Sequence, residues 1–284
     1  MKLRFTKMHG ISNDYVYIST FDQQIDDPEK LSVILSDRRT GIGGDGIILV
    51  CPSDVADAKM RIFNADGSEA MMCGNGIRCV GKFVYDKGLV PADKTTVTID
   101  TLSGIKTLEL TVKDGKAQSA RVDMGAAILE SQKIPAVYDS ERMVNVPLEV
   151  DGKVWSVTAV SMGNPHCVTF VDDVDSLDLE KIGPSFENHP AFPARVNTEF
   201  VKVIDDHTLQ MRVWERGSGE TWACGTGACA TAVAACLNGY CKKGEDITVH
   251  LRGGDLVINY TDETVIMTGP ATTVFEGEAE IAPL

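Results

Sequence analysis

Two cysteines in this chain each stand directly before a short glycine-rich turn, and this arrangement could do acid–base chemistry. The turns are Cys73-Gly74-Asn75-Gly76 and Cys224-Gly225-Thr226-Gly227. A helix that begins at such a turn exposes unpaired N–H groups and a partial positive charge, which stabilise a thiolate and bind a carboxylate or phosphate. A thiolate of lowered pKa can remove a proton near neutral pH. We therefore predict that Cys73 and Cys224 form an acid–base pair acting on one small molecule.

The two turns belong to a longer internal repeat with an offset of 151 residues, from 73 to 224. Met60-Arg61-Ile62-Phe63 precedes the first cysteine, and Met211-Arg212-Val213-Trp214 precedes the second at the same spacing. Three further pairs share the offset: Asn13 with Asn164, Gly46 with Asn197, and Asn64 with Glu215. A single period of this length is too long for a solenoid and indicates two homologous domains.

Two thiols on opposite sides of one carbon could invert its configuration. One thiolate would remove the α-proton of an amino acid, and the other thiol would deliver a proton to the opposite face. The helix N–H groups would bind the substrate carboxylate and stabilise the negative charge that develops at the carbon. This mechanism requires one thiol and one thiolate at the same time.

Polar residues near the predicted strand ends suit a zwitterionic substrate. Neutral amides can both donate and accept hydrogen bonds, and the candidates are Asn13, Asn64, Asn164 and Asn197. Arg216 can pair with a second carboxylate through its planar guanidinium. His166 and Glu215 could tune the ionisation of a thiol.

Composition excludes several classes of function. The chain has 284 residues with 27 basic and 41 acidic side chains, a net charge of −14. Such a charge disfavours binding to nucleic acid or to anionic membranes. No apolar run reaches the length of a membrane span, and the N-terminus lacks a signal-peptide core, so we expect a cytoplasmic protein.

The eight cysteines are expected to be reduced in this setting. Six of them lie among apolar residues and are predicted to be buried core residues: Cys51, Cys79, Cys167, Cys229, Cys236 and Cys241. The spacings Cys73-x5-Cys79 and Cys224-x4-Cys229 lack the tight pairing of zinc ligands, and we predict no metal site.

Short strands dominate the predicted secondary structure, with helices at Pro28–Asp37, Asn75–Lys87 and Thr226–Leu237. The Ala-rich last helix suggests a helix closely surrounded by sheet. The phrases Val122-Asp123-Met124-Gly125 and Val265-Ile266-Met267-Thr268 are similar, so the last strand could return to complete the first domain. The predicted domains are residues 1–118 with 265–284, and residues 119–264.

The segment Phe63–Cys79 resembles the signature of the diaminopimelate epimerase family. Met162–His166, Val213–Thr221 and Ala223–Gly227 resemble further motifs of that family. The resemblance covers essentially the whole chain. It implies a cofactor-independent epimerase that interconverts LL- and meso-diaminopimelate in lysine and peptidoglycan-precursor biosynthesis. It also implies an α/β fold of two similar domains, each a strongly curved, mostly antiparallel sheet around a central helix. The active site would lie in the cleft between them, commonly in a homodimer.

The resemblance also assigns roles to individual residues. It implies that Cys73 and Cys224 are the catalytic pair and that His166 and Glu215 adjust them. The implied substrate-binding residues are Asn13, Asn64, Gly74, Asn75, Asn164, Asn197, Glu215, Arg216, Gly225 and Thr226. The chain departs from the pattern at Gly46, where many members carry glutamine, so a side-chain contact to substrate is missing there.

Two alternatives remain open from the sequence. A racemase similar to proline racemase would use the same pair of thiols, although the asparagines and Arg216 favour a longer substrate with a charged distal end. A redox or binding protein would use Cys73 and Cys224 as a reversible disulfide. Loss of epimerisation in single cysteine variants that stay folded would separate these functions.

Overall fold

The structure is a computed structural model, and it describes residues 2–281. The chain divides into two compact units, of which the first contains the described residues of Met1–Val122 and Thr268–Leu284. The second unit is Asp123–Met267. The domain limits predicted from the sequence stay a prediction, and residues 1 and 282–284 lie outside the described residues.

Strands make up most of the regular structure. In chain order they are β1 Lys2–Gly10, β2 Asn13–Ser19, β3 Gly46–Cys51, β4 Ala58–Asn64, β5 Glu69–Ala70, β6 Thr96–Asp100, β7 Lys106–Lys113, β8 Lys116–Asp123, β9 Val146–Val150, β10 Lys153–Ser161, β11 Pro165–Phe170, β12 Asn197–Asp205, β13 Thr208–Glu215, β14 Gly219–Thr221, β15 Asp246–Leu251, β16 Gly254–Tyr260, β17 Val265–Pro270 and β18 Thr272–Glu280. The helices are α1 Pro28–Ser36, α2 Gly74–Asp86, α3 Leu179–Glu187 and α4 Gly225–Leu237, with a short 3₁₀ turn at Ser131–Lys133.

Each unit combines antiparallel pairing with two parallel strand pairs. In the first unit β2 pairs in parallel with β3, and β4 with β6. In the second unit β11 pairs with β12 and β13 with β15 in the same way. Parallel neighbours need a crossover connection, and each of the four helices lies in the crossover of one parallel pair. The prediction of a mostly antiparallel α/β fold with a central helix is confirmed.

The helix that follows each cysteine is enclosed by the strands of its own unit. Every residue of α2 from Gly74 to Val84 is buried, and the helix packs against β1, β2, β3, β4, β6 and β7. It ends where Gly88 takes a φ of 68°, a conformation that only glycine adopts at low cost. The helix α4 has the same position in the second unit and is buried over nearly its whole length.

A second helix covers the opposite face of the same strands in each unit. In the first unit α1 contributes Leu31 and Leu35 to a core with Val16 and Ile18 of β2. Side chains alternate along a strand, so the other face of β2 directs Tyr15 and Tyr17 towards α2, where the Tyr17 hydroxyl lies 3.3 Å from the Gly76 carbonyl oxygen. Because helices cover both faces of β2 and β3, the sequences of these strands are nearly continuous apolar runs.

The offset of 151 residues is preserved in the secondary structure. The ranges of β1, α1 and α2, shifted by 151, coincide with those of β10, α3 and α4. The parallel register also repeats, because Tyr15 pairs with Gly46 and His166 with Asn197. The internal repeat found in the sequence is therefore a repeat of fold. Among residues 2–281, no helix is both long and apolar enough to cross a membrane.

Candidate active site

Cys73 caps the N-terminus of the buried helix α2. Its Sγ lies 3.3 Å from the backbone nitrogen of Gly76 and accepts that N–H. The N–H groups of Gly74 and Asn75 belong to the same first turn, which has no preceding helical carbonyls to bond. Cys73 is partly exposed. A thiol in this position is held against a set of backbone donors while solvent or a ligand can still reach it.

Asn13 is the side chain that the structure brings to Cys73. Its Oδ1 lies 3.2 Å from the Cys73 Sγ, and its amide nitrogen donates to Asp45 at 2.7 Å. Arg38 bonds both Asp45 and Asp14, at 2.9 and 2.7 Å. Burial raises the pKa of Asp14, but hydrogen bonds from Arg38 and Lys7 hold that pKa below its ordinary value. This charged network fixes the rotamer of Asn13 beside the thiol.

Tyr15 also faces Cys73 from the strand β2. Burial raises the pKa of its phenol well above the ordinary value, and the nearby charge of Cys73 raises it further. The tyrosine therefore stays neutral and can act as a hydrogen-bond partner. Sequence reasoning missed Tyr15. Tyr15 lies 151 residues before the predicted site residue His166, so the internal repeat already indicated it as a candidate.

The other predicted residues of the first unit have different surroundings. Asn64 is partly exposed and donates to the Ser68 hydroxyl at 3.1 Å. The Asn75 side chain is turned inwards, where its Oδ1 accepts from Arg78 at 2.8 Å, so only its backbone suits substrate binding. A Cβ at Gly46 would lie 2.1 Å from the Phe63 carbonyl oxygen. There is no room for a glutamine side chain at Gly46 on this backbone.

Cys224 caps α4 in the same way, but its surroundings are charged. Its Sγ lies 3.3 Å from the Gly227 nitrogen and 3.6 Å from the Thr226 hydroxyl. Burial raises the pKa of Cys224 well above its ordinary value, and the carboxylates of Glu215 and Glu199 add to this rise. Burial also raises the pKa of Glu215, against hydrogen bonds from Thr221 and Cys224 that lower it.

A fully buried His166–Glu199 pair lies beneath the first turn of α4. The His166 Nδ1 is 2.7 Å from Glu199 Oε1, and its Nε2 is 3.1 Å from Asn164 Oδ1. Asn164 in turn donates to the Thr226 hydroxyl at 3.2 Å. A Cβ on Gly227 would lie 2.7 Å from Glu199 Oε1, so the helix approaches the carboxylate as closely as its backbone allows.

Glu199 is a site residue that sequence reasoning missed. It lies in the apolar strand β12, where a charged residue is itself unusual. The parallel register pairs His166 with Asn197, which places Glu199 on the same face two residues further on. The charge inside an apolar strand, opposite a predicted histidine, was the available signal.

Asn197 and Arg216 form a separate group at the β13–β14 turn. Asn197 is buried, and its Oδ1 accepts the Arg216 backbone N–H at 2.8 Å. The Arg216 side chain is exposed and donates to the Ala194 carbonyl at 2.9 Å. The structure therefore orders Arg216 at the surface while leaving most of its guanidinium donors accessible.

Five of the remaining cysteines have environments that raise the thiol pKa: Cys51, Cys79, Cys167, Cys236 and Cys241. Burial raises the pKa of Cys79 and of Cys241 to about 11. The prediction of buried thiols was wrong for Cys51 and Cys236, which are partly exposed because they lie near the ends of β3 and α4. Within residues 2–281, no cluster of three or more His, Cys, Asp or Glu side chains could hold a metal ion.

Comparison with known proteins identifies the family. The sequence model described as diaminopimelate epimerase matches residues 5–130 and 158–274. The chain belongs to the diaminopimelate epimerase family. It is 55% identical to the diaminopimelate epimerase of Acetivibrio thermocellus over 99% of this chain and 100% of that protein. It is 54% identical to that of Methanococcus maripaludis over 98% and 100%. The prediction of an epimerase, an isomerase, is confirmed.

Solved structures with low sequence identity share the fold. A phenazine biosynthesis protein of the PhzF family from Bacillus anthracis has a TM-score of 0.71 at 15% identity, covering 99% of this chain and 100% of that one. A hydroxyproline epimerase from Agrobacterium vitis has a TM-score of 0.69 at 14% identity, covering 98% and 91%. At these identities the likeness concerns the fold alone, so the family assignment depends on the sequence relatives.

Proposed function

We propose that the protein inverts the α-carbon of LL-diaminopimelate to give meso-diaminopimelate, using Cys73 and Cys224 as a two-base pair without a cofactor. The observation that carries the proposal is that each cysteine caps a buried helix, with its Sγ 3.3 Å from the N–H of the third helical residue. Both caps lie inside the segments that match the family. Each cap supplies a sulfur that can gain or lose a proton and adjacent donors that can hold a carboxylate.

The reaction is a proton exchange at one carbon. The sulfur of one cysteine, as thiolate, takes the α-proton, and the C–H electron pair stays on the substrate as a carbanion conjugated with its carboxylate. The other cysteine, as thiol, then gives its proton to the opposite face and becomes the thiolate. Backbone N–H groups at Gly74, Asn75, Gly225 and Thr226 would stabilise the carboxylate as it gains charge.

The electrostatics of the second unit support Cys224 as the thiol when substrate arrives. Burial, Glu215 and Glu199 all raise the pKa of Cys224. A thiol that holds its proton at neutral pH can serve as the acid. The base is then Cys73, whose cap contains neutral Asn13 and Tyr15 side chains.

The asparagines and Arg216 supply the specificity for a long substrate with two zwitterionic ends. Asn13 and Asn164 each lie next to a helix cap and would bind the reacting end. Arg216 with Asn197 and Asn64 would bind the distal end, where Arg216 offers a planar pair of donors to a carboxylate. By its resemblance to the family, we also propose that the protein is a cytoplasmic homodimer.

The decisive experiment is incubation of the protein with LL-diaminopimelate in deuterated water without added cofactor. We expect one deuterium at the α-carbon of the meso product. Cys73→Ala and Cys224→Ala should each lower epimerisation by about 10³-fold or more while the protein stays folded, because each turnover needs one cysteine as the base and the other as the acid. Cys79→Ala and Cys236→Ala are matched controls in the same two helices and should retain activity.

The same experiment separates the alternatives. Near-full activity in Cys224→Ala would contradict the two-base mechanism. Deuterium incorporation into proline but not into diaminopimelate would favour a racemase of a shorter amino acid. A redox or binding protein would incorporate no deuterium into either substrate, while the wild-type protein would still form a disulfide between Cys73 and Cys224 on mild oxidation.

A further inference from the structure

The carboxylate of Glu187 joins three segments of the second unit. It is the last residue of α3 and is only 6% exposed. One oxygen accepts from the Trp214 indole N–H at 2.8 Å. The other accepts from the Gly217 backbone N–H at 2.9 Å and from the Arg195 guanidinium at 2.9 Å. Its backbone carbonyl accepts the Val196 N–H at 3.2 Å.

These partners surround the residues that would bind the distal end of the substrate. Trp214 and Gly217 flank Glu215 and Arg216 in what we term the recognition turn, residues 215–218. Arg195 and Val196 directly precede Asn197, whose Oδ1 holds the Arg216 N–H. Glu187 therefore clamps both backbone segments from which Asn197 and Arg216 project.

Arg195 gives a second, independent observation. Its φ is 60°, in the left-handed region that a residue with a side chain adopts only when its surroundings enforce it. The ion pair with Glu187 and the N–H bond from Arg195 to the Phe192 carbonyl, at 2.8 Å, provide that enforcement. The conformation of the segment before Asn197 thus depends on the Glu187 carboxylate.

Among the described residues, the first unit has no carboxylate at the equivalent place; Ser32 of α1 instead donates to the Phe63 and Asn64 carbonyl oxygens, at 3.0 and 2.7 Å. At the offset of 151 residues, Glu187 corresponds to Ser36, and Trp214 corresponds to Phe63, which has no donor. The Ser36 hydroxyl is buried without a hydrogen-bond partner among the described residues. A tether from this helix to the turn is thus present in both units, but the charged clamp of Glu187 is a feature of the unit that carries Arg216.

We propose that Glu187 is a positioning residue that, directly and through Asn197, sets the geometry of Arg216 for the carboxylate at the distal end of the substrate. This inference rests on the proposed function. Glu187 contacts no reacting atom and acts through the recognition turn. Glu187→Gln replaces one of the two carboxylate oxygens by an NH₂ group. An NH₂ group cannot accept the hydrogen bonds that the oxygen accepts in the wild type.

The test is a double-mutant cycle with steady-state kinetics on LL-diaminopimelate. Glu187→Gln should lower kcat/KM by about 10- to 100-fold, mostly through a higher KM, because charge-assisted hydrogen bonds are lost. Arg216→Met should give a similar or larger loss. In the double variant we expect no loss beyond that of Arg216→Met, because Glu187 acts through the arginine. Glu180→Gln, an exposed position in the same helix, is the matched control.

Each outcome decides between the proposals. Losses that multiply in the double variant would mean a general structural role and would overturn the inference. If Glu187→Gln does not fold, Arg195→Gln removes the half-exposed ion pair instead, and its loss should likewise vanish in the Arg216→Met background. A wild-type protein that incorporates no α-deuterium would overturn the proposed function, and this inference with it.

Discussion

Replacing His166 by leucine should destabilise the second unit by about 3–4 kcal/mol at about pH 7.5. In the wild type Glu199 Oε1 accepts the His166 Nδ1–H at 2.7 Å, and both side chains are fully buried. The other oxygen, Oε2, has no hydrogen-bond partner among the described residues. Leucine would leave the buried carboxylate without its hydrogen-bond donor, so the desolvation cost of Glu199 would no longer be offset.

The burial of that carboxylate sets the magnitude. Removing one partner of a buried, hydrogen-bonded charged pair costs about 3–5 kcal/mol, because the other partner keeps its desolvation cost without the compensating contact. The opposite variant, Glu199→Ile, should cost only about 1–2 kcal/mol, because an imidazole N–H left without an acceptor is less costly than an unpaired carboxylate.

Equilibrium urea unfolding followed by circular dichroism measures these differences. The double variant should be less destabilised than the sum of the two single variants by about 2 kcal/mol. His250→Leu is the control, because its pair with Asp255 has the same 2.7 Å separation but is exposed, so it should cost less than about 1 kcal/mol. A cost below about 1 kcal/mol for His166→Leu would refute the reasoning.

Two further substitutions test the surroundings of the thiols. Glu215→Gln removes a negative charge that raises the pKa of Cys224, so the midpoint of the pH dependence of Cys224 alkylation, followed by mass spectrometry, should move down. An unchanged or higher midpoint would contradict this electrostatic account. Gly46→Ala should lower the free energy of unfolding by about 1–3 kcal/mol in urea titrations, because its Cβ would lie 2.1 Å from the Phe63 carbonyl oxygen. Wild-type stability would show that β3 and β4 move apart at little cost.

Several elements of the fold could be predicted because local chemistry marks them. The helices α2 and α4 were predicted to within one residue, since a capping cysteine precedes each and a glycine follows each. The helix α3 was missed, although the offset of 151 residues maps α1 onto it. Pro184 lies inside α3, and an internal proline normally argues against a helix.

The parts of the site that depend on strand register could not be derived from local sequence. Glu199 faces His166 only because β11 and β12 pair in parallel with His166 beside Asn197. The inward rotamer of Asn75 depends on the buried guanidinium of Arg78. The first result follows from pairing between strands that are distant in sequence, and the second from a contact within one helical turn. Periodicity reports neither.

The comparison of the two caps indicates how one duplicated scaffold could serve a reaction that needs two unlike thiols. The backbone surroundings of the two thiols are alike, since each Sγ lies 3.3 Å from the backbone nitrogen of the third helical residue. Two independent thiols of equal pKa would be present as one thiol and one thiolate in at most about half of the molecules at any pH. When the two thiols have different pKa values, the form with one thiol and one thiolate is dominant at pH values between them. In the second unit Glu215 and Glu199 raise the pKa of Cys224, whereas Asn64 and Ile48 occupy the corresponding positions in the first. In the proposed mechanism the repeat would supply the N–H donors twice, and the carboxylates of Glu215 and Glu199 in one copy would distinguish the acid from the base.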